Sequence, residues 1–271
     1  MKKISLILMA CAMIAVTSCG NNKKKAAQEA APTTQEEFQI QQLEAHIQMQ
    51  LDSIAAIFSA KAQDPFIGAA KEGKIVLTDS EKAIKPSYLI DPASVAELST
   101  LAQRYRAIAM LSIDSEIAKL YEMPADAYIA AISKLAADIN DSALSNFLKN
   151  SQDNISNEMS ALYKEEVKNG RVCLFWELNG ATSIESLYVL SQNIDKFTST
   201  LTDDDAANLT YRLFLAKQSV DQLVAFYPEL ESLSKSLAPL DVLNAMDLAE
   251  FKSQLAEMKG QLEVIRNGLL K

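Results

Sequence analysis

Few residues of this chain could do chemistry, and those few sit in apolar, helical surroundings. Trp176, Glu177 and Asn179 interrupt the run from Val172 to Gly180. A carboxylate in such a run is costly to bury unless it is paired. Arg104 and Arg106 flank the apolar middle of another helical stretch and are the natural partners. Two readings stand for this set. One is a binding pocket with an aromatic wall and a few polar groups; the other is a structural ion pair, or Glu177 facing water. His46 is the single histidine, with no Glu or His at the spacings that build helical metal sites. A serine nucleophile would lack a base, and Gly-x-Ser-x-Gly is absent. The stretch Lys71-Glu72-Gly73-Lys74 is no phosphate loop. Asp203, Asp204 and Asp205 cannot converge on calcium, because consecutive helical side chains point about 100° apart. They suit the first turn of a helix, where the dipole favours negative charge. The residues therefore point to no catalytic group, no metal and no cofactor.

The cysteines carry more information. Cys173 lies within Val172-Cys173-Leu174-Phe175-Trp176, which reads as a buried, inert thiol. Lys2 and Lys3, an apolar core from Ile4 to Met13 and then small residues lead to Val16-Thr17-Ser18-Cys19-Gly20. That order is a secretory signal, too short for a spanning helix. The last five residues resemble the lipobox of bacterial lipoproteins. The resemblance implies cleavage before Cys19, a diacylglycerol thioether on its sulfur and a further acyl chain, palmitate-like, on the new amino terminus. Two or more chains give a stable anchor, so the bilayer is the partner of Cys19. Gly20 is not the aspartate of inner-membrane retention, and Lys23, Lys24 and Lys25 replace the acidic run of surface-exported Bacteroidetes lipoproteins. By resemblance the expected location is the periplasmic face of an outer membrane, with the inner membrane and the cell surface as alternatives.

Removal of residues 1–18 takes two lysines and no acid from a chain of 26 basic and 35 acidic residues, moving the formal charge from −9 to −11. So acidic a chain repels phosphate backbones, and nucleic acid is not an expected partner. With Cys11 in the leader and Cys19 acylated, no intrachain disulfide can form. Packing alone must hold the fold.

Residues 20–34 are small, polar and aperiodic and read as a flexible tether. From Gln35 the apolar residues take helical spacing: Ile40, Leu43, Ile47, Leu51, Ile54 and Phe58. The spacing predicts a helix ending before Asp64-Pro65. Residues 65–91, with Gly68, Gly73 and Pro86, are expected to form a long ordered loop. Thr78 and Glu81 have capping-box spacing for one short turn within it. Phe66, Ile67, Tyr88 and Leu89 on that loop either cover the body or form a partner surface. Asp91-Pro92 is expected to open a central helix running to Tyr121, with Ile90 and Val95 as a hydrophobic staple. Further helices are expected from Pro124 to Asn140, from Asp141 to Asn169-Gly170, and over 171–200 with Gly180 as a kink or close contact. Another opens at Thr202, and Pro228 and Pro239 break the stretch beyond it. A last helix carries Leu248, Phe251, Leu255, Met258, Leu262, Ile265 and Leu269 in a 3-4 heptad seam.

The fold class read from this pattern is all-α, an antiparallel bundle of about seven helices in one domain over 35–271. By signal style and composition the chain resembles the uncharacterised helical lipoproteins of Bacteroidetes. The expected role is non-enzymatic: a tethered protein that binds a ligand or an envelope protein partner, or serves the envelope itself. The alternatives are a carboxylate-based glycan-active enzyme, lyase or glycosidase, and a small-molecule carrier with a cavity between helices.

Overall fold

The structure, a computed structural model, describes residues 35–271. The signal, the tether and the lipidation expected at Cys19 lie outside the described residues.

Seven long helices carry the body: α1 (Gln35–Ala60), α4 (Leu101–Leu120), α5 (Asp126–Ile139), α6 (Ser142–Lys168), α7 (Val172–Gln192), α9 (Asp203–Leu223) and α11 (Leu248–Gly268). Four short ones join them: α2 (Pro65–Lys71), α3 (Asp79–Ala83), α8 (Ile194–Phe197) and α10 (Glu231–Leu237). No strand occurs among the described residues, and the protein is an all-α helical bundle.

The core forms around α7. Its sequence is apolar on every side, and it packs against α4, α11, α9 and α6 at once. Helix α4, which holds the apolar middle expected to be central, is itself largely buried and is α7's main neighbour. Trp176 is fully buried within an edge-to-face aromatic group, 5.6 Å from Phe58 and 5.0 Å from Phe175, and Tyr163 lies 5.1 Å from Phe175. At Gly180 a Cβ would stand 2.9 Å from Leu233, so glycine there lets α10 approach α7 closely. Along α11, Phe251, Leu255, Met258, Leu262 and Ile265 are buried, with Leu269 just beyond its end, as the heptad spacing predicts.

Caps decide where helices begin. Thr78 with Glu81 forms the expected capping box, Thr202 caps its helix as expected and does so in a box with Asp205, and Asp141 accepts from the Ala143 and Leu144 amides. Asp203, Asp204 and Asp205 all lie in the first turn of α9. Gly170, at φ +68, ends α6 in the left-handed region.

Two expectations are corrected. Asp91 does act as a cap, but Pro92–Val95 is only a 3-10 turn, and the long helix starts at Leu101. There Thr100 and Gln103 make a capping box that outcompetes continuation from Pro92. Residues 65–71 are helical, because Asp64 accepts from the Ile67 amide and Pro65 opens the first turn. Phe66 and Ile67 are buried and Tyr88 and Leu89 pack on the core, so this segment covers the body. Along α1, Leu43 is 46% exposed and close packing begins only near Leu51, where α6 and α9 meet it.

Candidate functional site

Arg106 and Glu177 meet as the apolar flanks of both helices suggest. Arg106 Nε and Nη2 donate to Glu177 Oε2 and Oε1 at 2.5 and 2.9 Å, and Nη1 donates to the Leu269 carbonyl at 3.1 Å. Burial raises the Glu177 carboxyl above its usual value, although Arg106 pulls it down. The other candidates do not join this pair. Arg104 turns to the Leu98 carbonyl at 3.0 Å. Asn179 donates to the Phe175 carbonyl one turn back, at 2.7 Å. Trp176 stands enclosed in the core, its indole N–H without an acceptor among the described residues. Cys173 Sγ lies 3.6 Å from Glu229, and burial pushes its thiol up to about 12, far from thiolate chemistry.

Two further buried acid clusters escaped the sequence reading. In the first, Arg266 on α11 donates to both oxygens of Glu185 on α7, at 3.0 and 3.1 Å, and lies 3.5 Å from Asp114 on α4. Its guanidinium sits 4.9 Å over the Tyr188 ring. Asp114 also accepts from the Ile90 amide at 2.7 Å. Burial and the Glu185 charge push Asp114 well above its usual range, and burial raises Glu185 as well. Two buried carboxylates thus face one guanidinium, and burial disfavours the charged form of both.

The second cluster joins α4, α6 and the α6–α7 turn. The Tyr105 hydroxyl faces Asp141 at 2.7 Å and Glu166 at 3.2 Å. Arg171 reaches Asp141 at 2.6 Å and Glu166 at 3.1 Å. Burial, then Asp141, push Glu166 up to about 7. Burial alone would raise Asp141 too, but hydrogen bonds from Tyr105, Glu166 and the Leu144 amide, with the Arg171 charge, hold it below its usual range. Because the folded Glu166 value exceeds the unfolded one, its contribution is whole below about pH 4.5 and is lost as pH rises through about 7. Glu166→Gln mimics the protonated form. It should match the parent near pH 5 and exceed it by about 1–3 kcal/mol near pH 8, read from urea midpoints. Equal loss at both pH values would show that Glu166 does not titrate in this range in the folded protein.

The binding geometry lies elsewhere, in a cleft of about 590 Å³ bounded by α4, α5, α6 and the α1–α2 corner. Ile108, Ile113, Ile132, Ile155, Met159 and Leu178 make its walls apolar. Helix α6 bends at Asn154, whose φ and ψ of −153 and 78 leave the helical region; its side chain caps the restarted helix by accepting from the Asn157 amide. Ser151 and Ile155 on either side of the bend line the cleft. Arg212 from α9 lines the buried part of the wall at 2% exposure. Its Nη1 donates to the Lys61 and Ala62 carbonyls at 2.5 and 2.6 Å, where the positive charge complements the end of α1. Its guanidinium stands 4.9 Å over Phe58.

No three of His, Cys, Asp and Glu converge as metal ligands among the described residues, and no described helix is long and apolar enough to cross a membrane. Compared with protein-family models, curated proteins and solved structures, the chain matches none. The cleft left little signal in the sequence, since its walls come from six elements. Its one local cue is Asn154, a cap-forming residue inside a long helix.

Proposed function

We propose that this chain is a lipid-tethered protein of the cell envelope, held at the periplasmic face of an outer membrane through Cys19, whose helical body binds a small molecule without turning it over. The observation that carries the reading is the cleft of about 590 Å³ along α4, a size and apolar character suited to a small ligand. The interior acids support a binding role over a catalytic one. Glu177, Glu185, Asp114, Asp141 and Glu166 are each held by an arginine, and none of them lines the cleft.

The test recovers the full chain from membranes and analyses its solvent extract by mass spectrometry. A small molecule should accompany the parent at about one per chain and be lost from Ser133→Trp, which places an indole in the cleft from an exposed position on α5. Equal recovery from both, or none from the parent, overturns the reading. Acyl labelling of parent and Cys19→Ala tests the tether in the same cells. Label should vanish from the variant, and a parent without label ends that part of the proposal.

A second reading, docking of an envelope protein, draws on one observation. On α9 the exposed rings of Tyr211 and Phe214 stack with centroids 6.3 Å apart, beside Met246 at 72% exposure, in a shallow groove of about 630 Å³.

A further inference from the structure

The interior holds three arginines at under a tenth of full exposure: Arg106, Arg212 and Arg266. Two of them face a buried carboxylate at hydrogen-bonding distance. Arg212 does not: no described carboxylate lies within ion-pair distance of it. The acid whose charge reaches it is Asp64, and both Asp64 oxygens are already engaged, by the Ile67 amide at 3.1 Å and the Ser186 hydroxyl at 2.7 Å. A buried cation without a counter-ion is expensive. The two carbonyls at the end of α1 offset part of that cost through Nη1 alone. The guanidinium has five N–H donors, so Nε and Nη2 keep theirs free of any acceptor among the described residues.

Those donors belong to the one buried charged side chain of basic type that lines the cleft. Lys71, Lys119 and Lys149 stand around the same cleft at exposed positions, and the acids that line it are Asp64 and Glu116. Glu116 is taken by Lys119 at 2.8 Å. In a chain of formal charge −9, the cleft is therefore locally positive, with an apolar body and a buried cationic end.

We infer that the cleft takes an anionic amphiphile: an apolar chain lies along Ile108, Ile132, Ile155 and Leu178, and a single acidic head, carboxylate or phosphate, accepts from the free Arg212 donors. This inference rests on the small-molecule reading above and adds the chemistry of the ligand. A fork of guanidinium donors suits a planar or tetrahedral oxyanion, and charge-assisted bonds are the strong ones. The lysines draw the head toward the cleft and are not its final partners.

The probe is cis-parinaric acid, a fluorescent fatty acid, against its methyl ester, which keeps the chain and lacks the charge. Both are titrated into the full chain carrying Cys19→Ser, so that no acyl group of its own competes. The acid should bind in one equivalent, and the ester about tenfold to a hundredfold more weakly. Acetate and inorganic phosphate alone should not displace the acid, because the chain supplies most of the binding. Arg212→Gln should bring acid and ester to equal affinity, whereas Arg212→Lys should keep a preference for the acid. The double change Lys71→Gln, Lys149→Gln should leave the preference within about threefold.

Equal affinity of acid and ester for the parent overturns the anionic head while leaving the cleft reading in place. Loss of the preference in the lysine double variant, with Arg212→Gln unchanged, overturns the assignment to Arg212. Binding of neither probe to the parent overturns the cleft reading itself. Arg212 also caps α1, and if Arg212→Gln does not fold, the acid–ester comparison on the parent and the Arg212→Lys variant still decide the matter.

Discussion

Arg106→Leu is expected to cost about 3–5 kcal/mol, enough to unfold much of the protein at ordinary temperature. The magnitude comes from the group the substitution strands, and less from the one it removes. Glu177 has no exposed side-chain surface, and without the guanidinium it must take up a proton or remain an uncompensated charge in the core. The Leu269 carbonyl, just beyond the end of α11, loses its donor as well. The companion variant Arg106→Leu, Glu177→Leu should recover most of the loss, because two apolar side chains of similar volume carry no desolvation cost. Urea midpoints at constant slope measure both. A single variant within about 1 kcal/mol of the parent would mean that water reaches Glu177.

Arg266→Leu should be as damaging but should also depend on pH. Asp114 and Glu185 both sit above their ordinary values even with Arg266 present, because burial outweighs its pull. Groups with raised folded values stabilise below their unfolded values and lose that contribution as pH rises through the folded ones. Removing Arg266 raises both further, so the penalty grows with pH. We expect a loss of about 3–5 kcal/mol near pH 8 that shrinks by at least about half near pH 5. A loss independent of pH would show that the two acids do not titrate with the guanidinium. The contact with Tyr188 contributes about 1 kcal/mol of the loss at any pH.

Local chemistry in the sequence reaches helix ends reliably and contacts across the core poorly. The capping boxes at Thr78 and Thr202, the cap at Asp141 and the stop at Asn169-Gly170 all act within three residues, so their spacing alone discloses them. Thr100 with Gln103 has the same spacing, but the apolar rhythm running from Val95 through Leu98 and Ala102 hides it. Asp64-Pro65 and Asp91-Pro92 carry the same start signal, yet one opens an α-helix and the other a 3-10 turn. The difference is set by what each buries afterwards. Arg106 with Glu177 could be paired from sequence because each interrupts an apolar helix. Asp114 and Glu185 interrupt the same two helices and could have been read alike; Arg266 could not, since it lies on a helix with a polar face, where an arginine needs no buried partner. The Arg212 environment needed the fold, because its neighbours come from α1 and the cleft from five other segments.

Helix α7 has a consequence of another kind. Its 21 residues would reach across a hydrocarbon layer, and all but a few are buried in the finished protein. A polypeptide exported before it folds presents that stretch to the translocation machinery, which tests each segment for lateral release into lipid. Glu177 and Glu185 each weigh against release by about 2.5–3.5 kcal/mol near a segment's centre. If the chain is exported as proposed above, the same two carboxylates that demand arginines in the native core also keep its most apolar helix from being mistaken for a membrane span on the way out.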